Sequence, residues 1–333
     1  MEEITILGPS GAGKTCYLYA MAERMALGVN DLTFTATNCI DALRLEEEWH
    51  KICDVGVMPP PTSCLHELHF TSSYSLAPFM EFNWYEWTGA LMQRDCEESH
   101  ILIERIKESS GVIVCIPAPM LKPTLTNDFM CRAYWHRLAA LLRRISLQGN
   151  TPPLMFAITK ADLLCEHEYE DVVRYLREVL FAPLFAQNSG WFVGIVPVSI
   201  GRAITIDGCN IVGGTINPWN VEIPVLFCIK AFLDEQLPMW EEQIAKCRED
   251  RSAASARLLS EQNKSAWSKF WNGDYRDAIK SDIQSIDQMI TEASNTSKRM
   301  QAIVDNINQT INASNAIVFR NGQKISVTKG MKK

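Results

Sequence analysis

The segment Gly8-Pro9-Ser10-Gly11-Ala12-Gly13-Lys14-Thr15 fits the pattern G-x-x-x-x-G-K-[ST] at every position. This pattern works only between a strand and a helix, so it constrains the fold as well as the chemistry. The context agrees: the β-type run Ile4-Thr5-Ile6-Leu7 leads in, and a helical run from Lys14 to about Met25 leads out. Inward-facing backbone N–H groups and the positive end of the helix together hold phosphates. Gly8, Ser10, Gly11, Ala12, Gly13, Lys14, Thr15 and Cys16 are therefore the candidate phosphate-binding residues. Lys14 would reach the β- and γ-phosphates, and the Thr15 hydroxyl would sit on Mg²⁺. The alternative is a glycine-rich turn that binds nothing; the flanking strand and helix argue against it. The chain is expected to bind a nucleoside triphosphate.

Further strands and helices alternate along the chain. Leu65–Phe70 and Phe79–Tyr85 read as strands joined by the polar turn Thr71-Ser72-Ser73. Gly111–Ile116 and Leu154–Thr159 are short continuous apolar runs, as expected of strands buried on both faces. Helices are predicted over about 127–146 and 168–180, a last strand over 192–199, and a closing helix over 221–236 ended by Pro238. This alternation predicts an α/β fold, a parallel sheet with helices on both faces. Ligands in such sheets bind at the carboxyl ends of the strands, where the phosphate loop lies.

Composition excludes several classes. The net charge of −7 gives no general pull toward nucleic acid. Eleven cysteines without a C-x-x-C pair argue against a disulfide framework or zinc site and for a reducing, cytoplasmic setting. The acidic start that enters a strand directly is not read as a signal peptide, and no apolar run reaches the about 18 residues needed to span a bilayer. Residues 238–333 are basic, about 15 basic against 11 acidic side chains, while the rest is acidic. That asymmetry suggests two parts with different tasks.

The strand ends extend the case. Thr159-Lys160-Ala161-Asp162 follows a buried strand and matches [NT]-K-x-D. At this point the sequence resembles the translation-factor-related (TRAFAC) class of P-loop GTPases, over about residues 1–237. The resemblance implies a Ras-like fold, GTP or GDP with Mg²⁺ as cofactors, Asp162 accepting from the guanine N1 and N2 groups, and the Lys160 stem lying over the base. Thr159 stands where asparagine is usual, which is expected to loosen the link back to the phosphate loop. Ser199-Ile200-Gly201 lies where the family has S-A-K, with only the serine in common. Glu86-Trp87-Thr88-Gly89 lies where it has D-x-x-G, so Glu86 is the candidate Mg²⁺ partner and the Gly89 N–H the candidate γ-phosphate donor. A chance glutamate at a strand end is the competing reading. Ala90 follows, where many relatives carry the glutamine that orients the attacking water; slow or partner-dependent hydrolysis follows from that. Lys14, Glu86 and Gly89 are thus the catalytic candidates, and Thr15, Thr62 and Glu86 the metal candidates. Thr62 lies in Gly56–Thr62, which resembles the G-x-x-P-P-x-T stretch of bacterial double-GTPase-like proteins of conflict and defence clusters; Ile216–Pro224 looks like the same subgroup. Thr33, Thr35 and Thr37 are rivals to Thr62, or plain strand threonines. His66 and His69 sit on opposite faces of a strand and are read as structural.

Beyond Pro238 the chain is polar and helix-rich. Ile279, Ile283, Ile286, Ile290, Ala293, Ser297, Met300, Val304, Ile307 and Ile311 alternate at spacings of four and three. This heptad seam predicts a coiled coil, entered through the turn Asn272-Gly273-Asp274 as an antiparallel helical hairpin. A helical layer packed on the first domain is the alternative. Trp267, Phe270 and Trp271 near the bend are either a partner or membrane-surface contact or the hairpin's own core. Ile317–Val327 reads as a β-hairpin with the preferred Asn-Gly turn, too small to stand alone. The expected division is 1–237 as the GTPase domain, 238–314 as a helical arm, and 315–333 as a β-hairpin and basic tail. Three functions remain in play: a GTP-dependent switch acting on an effector through the arm, with a homo-oligomer through the coiled coil; a nucleotide-dependent assembly scaffold with vestigial hydrolysis; and a P-loop ATPase or kinase.

Overall fold

A computed structural model describes residues 2–61, 65–88, 97–121, 129–146, 151–262 and 273–326. Eleven strands occur among the described residues: β1 (Glu2–Leu7), β2 (Leu32–Ala36), β3 (His66–Tyr74), β4 (Ala77–Glu86), β5 (Gly111–Pro117), β6 (Leu154–Thr159), β7 (Phe192–Pro197), β8 (Ser199–Asp207), β9 (Asn210–Trp219), β10 (Ile317–Arg320) and β11 (Gln323–Ile325). The α-helices are α1 (Lys14–Leu27), α2 (Cys39–His50), α3 (Glu97–Glu108), α4 (Phe129–Ser146), α5 (Glu166–Tyr175), α6 (Ile223–Gln262) and α7 (Gly273–Ala313).

The main sheet has nine strands in the order β11-β10-β7-β6-β5-β1-β4-β3-β2. Its five central strands are parallel, and both margins are antiparallel. β5, β6 and β7 are buried along their whole length, which their unbroken apolar runs require. Alternate residues face opposite layers. Val112, Val114, Leu154 and Phe156 join Leu102 and Ile106 of α3, Tyr134 to Ile145 of α4 and Val172 of α5 in one core cluster. On the other face Tyr17 of α1 stacks on Trp84, and Phe227 of α6 stacks on Phe192 with ring centres 4.6 Å apart. The α/β architecture with helices on both faces is therefore present.

Several boundaries differ from expectation. The β3–β4 turn lies at Ser75–Leu76 rather than 71–73, and both residues take positive φ, 50° and 65°. β3 runs through the polar segment because Thr71, Ser72 and Ser73 all pair with β4, across a register shift between Ser72 and Ser73. Pro238 does not end the closing helix; α6 continues through it to Gln262. A helical proline loses one hydrogen bond and adds a clash, about 3 kcal/mol, which buried neighbours such as Leu237 and Ile244 offset.

The chain packs as two compact units, Met1–Ala231 with Asn306–Met331, and Phe232–Asp305 with Lys332–Lys333. This differs from the expected division at 237 and 315. At the C-terminal boundary, Asn306 and Thr310 of α7 bond Asn30, and β10 pairs antiparallel with β7 from Ile317↔Ile195 to Arg320↔Phe192. Phe319 is buried in the sheet's core, and the Arg320 guanidinium lies 4.5 Å from the Phe192 ring centre. The hairpin thus extends the main sheet, with Asn321 and Gly322 at its turn. Within the second unit Arg251 of α6 donates to both carboxylate oxygens of Asp287 of α7, the longer bond being 3.3 Å. The Trp267, Phe270 and Trp271 cluster and Asn272 lie outside the described residues. No described helix is long and apolar enough to cross a membrane.

Candidate functional site

The glycine-rich loop joins the carboxyl end of β1 to the first turn of α1. Gly13 caps the helix at φ 82°, ψ 18°, a left-handed conformation that a side chain would strain. Ala12 N–H donates to the Pro9 carbonyl at 3.1 Å and closes the loop. The Lys14 ammonium is folded back, 2.9 Å from the Gly8 carbonyl and 3.3 Å from that of Pro9. It is buried, and burial lowers its pKa, with the nearby Glu86 carboxylate acting in the opposite direction. Ser10 to Cys16, Met58 to Pro61, Lys160 and Ile206 line a cavity over this loop. Burial pushes the Cys16 thiol up to about 12, so it is a neutral lining group rather than a nucleophile.

A second cavity adjoins the first and shares Gly13, Cys16, Met58, Lys160 and Ile206 with it. Thr159, Asp162, Ser199 and Ile204 complete its functional wall. Lys160 takes a left-handed backbone at φ 55° and opens the short 3-10 turn Ala161–Leu163 that carries Asp162. Ser199 Oγ donates to Asp162 Oδ1 at 2.6 Å, which fixes the carboxylate. An ionised carboxylate offers about four acceptor positions, so this bond leaves it able to accept from a ligand. Thr159 Oγ donates to the Ala12 carbonyl at 2.7 Å, in a buried position. The expected loosening is thus absent: the shorter threonine still ties the Asp162 segment to the phosphate loop. Replacing Thr159 by valine leaves that carbonyl unpaired, and urea unfolding is expected to show a loss of about 1–3 kcal/mol. An unchanged unfolding midpoint would argue against the tie.

Glu86 ends β4 beside α1. Its carboxylate is fully buried, and Oε1 accepts from Thr15 Oγ at 2.7 Å. The extra methylene, relative to aspartate, lets it reach the hydroxyl directly. This donor set fits Mg²⁺, which takes one or two protein oxygens plus phosphate and water. A hydroxyl that gives its proton to Glu86 keeps its lone pairs for a cation. No cluster of three or more His, Cys, Asp or Glu side chains suited to a metal occurs among the described residues.

Thr62, Gly89 and Ala90 lie outside the described residues. Thr33 and Thr35 belong to β2 at the sheet margin, and Thr37 bonds Thr71 at 3.0 Å; none lines either cavity. His66, read from sequence as structural, has Nδ1 3.8 Å from Glu86 Oε2 and so borders the site. His69 instead pairs with Asn83.

The sequence reading passed over β8 and β9, which form a separate two-stranded sheet directly after β7. β8 supplies Ile204 and Ile206 to the cavities. The signal was present: Ile204 and Ile206 alternate with polar residues ahead of Gly208, which opens the turn.

No family model matches this chain. No curated protein matches it either. Among solved structures, the bacterial selenocysteine-specific elongation factor EF-Sec aligns at TM-score 0.30 and 13% identity, over 60% of this chain and 26% of that one. The GTPase-like domain of S. cerevisiae Ski7, bound to GTP, aligns at TM-score 0.34 and 14% identity, over 65% of this chain and 47% of that one. A member of an oligomerised bacterial dynamin pair aligns at TM-score 0.33 and 14% identity, over 94% of this chain and 60% of that one. The chain spans less than two thirds of each of these proteins.

Proposed function

We propose that this chain is a guanine-nucleotide-binding protein that takes its nucleotide with Mg²⁺ and acts as a switch with slow or partner-dependent GTP hydrolysis. One observation carries the reading. Asp162, held by Ser199, opens on a cavity that continues into the phosphate loop. A fixed carboxylate opposite two N–H donors selects guanine, because adenine would leave it unpaired. Lys14 and the loop amides would hold the phosphates, Thr15 would ligate Mg²⁺, and Glu86 would orient Thr15. The ion, when bound, would neutralise charge on the β- and γ-oxygens. The same residues oppose an ATPase reading.

A nucleotide-dependent scaffold is the second reading, favoured by the direct Thr15–Glu86 contact at 2.7 Å. Single-turnover cleavage of GTP separates the two. The switch reading expects a rate for the chain alone on the order of 10⁻⁴ per second, falling at least tenfold in Glu86→Gln. No cleavage, alone or with partner proteins, would sink it. The helical arm expected over 238–314 is proposed to pass the nucleotide state to an effector or a second copy. Light scattering on GTP- and GDP-loaded protein tests the latter; one mass in both states removes the second copy. The defence-linked resemblance rests on Gly56–Thr62 and Ile216–Pro224. In the first segment Val57 bridges Asn210 of β9, the strand that carries Ile216–Trp219 of the second.

A further inference from the structure

The β8–β9 hairpin is tied to the nucleotide cleft at both ends. At its base, Ser199 holds Asp162, and Asn220 Nδ2 donates to the Pro197 carbonyl at 3.0 Å, which closes the hairpin onto β7. At its tip, Asp207 faces Asn210 across the two-residue turn Gly208–Cys209. The next N–H, of Ile211, points away from β8 and donates to the Gly56 carbonyl at 2.7 Å. Met58 N–H donates to the Cys209 carbonyl, also at 2.7 Å, and Val57 lies opposite Asn210. Gly56–Met58 is thus bridged to the hairpin tip, immediately before Pro59-Pro60-Pro61.

The hairpin is also built bent. Its register shifts between Arg202 and Thr205, where Ala203 takes φ 49° and Gly214 takes φ 90°. A Cβ on Gly214 would stand 2.5 Å from the Ala203 carbonyl oxygen, so only glycine allows the bend. Beyond it, Ile206 lines both the base-side and the phosphate-side cavities, and Ile204 lines the base side. Ile206 is 47% exposed, an apolar side chain facing an open cleft.

We propose that β8–β9 is a strap over the bound nucleotide, with Ile206 as its positioning residue and the Gly56–Met58 ladder as its latch. This rests on the guanine-nucleotide reading above. A nucleotide that fills both cavities covers Ile206 and Met58, and leaves only when the strap lifts. Because the latch holds the segment before Pro59, release of the nucleotide and release of that segment become one event.

Dissociation of fluorescently labelled GDP from the full chain tests this. Ile206→Ala is expected to speed release about tenfold, the scale for losing apolar carbons from a ligand wall. Ile211→Pro removes the latch N–H, whereas Ile211→Ala keeps it. The proline variant is expected to release GDP about 2–10 times faster than the alanine variant, the ratio for one hydrogen bond. Hydrogen exchange at the Met58 and Ile211 amides should slow when GDP is bound. Wild-type retention of GDP with unaltered release from Ile206→Ala and equal rates for the two Ile211 variants overturns the strap and leaves the guanine reading standing. A wild-type chain that retains no GDP overturns the guanine reading and the strap with it.

Discussion

Lys14→Ala is expected to lower the affinity for both GTP and GDP at least a hundredfold in calorimetric titration. The side chain is 5% exposed, and its ammonium rests on the carbonyls of Gly8 and Pro9. Burial already disfavours its charge, as the lowered pKa records. Phosphate oxygens are the compensation the position lacks. Hydrogen bonds to charged groups contribute about 1.5–3 kcal/mol each, and about 1.4 kcal/mol is tenfold in affinity. Losing the β- and γ-phosphate contacts therefore reaches a hundredfold, even after neighbours relax. Lys14→Arg should not rescue, because a guanidinium is too wide for an ammonium held under 3 Å from a loop carbonyl. Affinity within threefold of wild type for Lys14→Ala would show that phosphates bind elsewhere.

Asp162→Asn is expected to weaken GTP at least a hundredfold while changing ATP little. The substitution replaces one acceptor oxygen by a donor. Guanine then meets donor against donor at N1 or N2, and the buried mismatch carries the full desolvation cost. Xanthine has a carbonyl where guanine has its amino group, so xanthosine triphosphate should gain affinity in the variant. The bond from Ser199 Oγ to Oδ1 survives, since the amide keeps one oxygen, and the local fold should hold. Unchanged GTP affinity would remove the guanine assignment and return the chain to the broad class of phosphate-loop proteins.

What was legible in the sequence follows from where the chemistry is local. Gly8–Thr15 announces itself because a backbone cradle for phosphate needs glycines and a lysine at fixed spacing. Asp162 was legible through Thr159-Lys160-Ala161-Asp162, whose match to [NT]-K-x-D after a buried strand carries the resemblance to P-loop GTPases. The central strands declared themselves by apolar runs that no exposed segment carries. Tertiary context decided the rest. Ser75 and Leu76 take the positive-φ turn of β3–β4, although neither is a residue that signals one, and Leu76 is 89% exposed. Pro238 looked like an end because a proline's cost is local, whereas the burial that offsets it comes from packing. The β10–β11 hairpin was visible, but not its place beside β7, since register against a strand more than a hundred residues away leaves no local mark. The β8–β9 hairpin was missed although Gly208 marked its turn, because its isoleucines face a cleft rather than a core. Glu86 was read as a departure from pattern; its direct bond to Thr15 shows what the longer side chain does there.

The central claim is guanine selectivity, and competition between GTP and ATP for the Mg²⁺-loaded wild-type protein measures it most directly. With labelled GDP as the reporter, GTP is expected to displace it at concentrations at least a hundredfold below those ATP requires. Equal displacement by the two nucleotides would contradict the account.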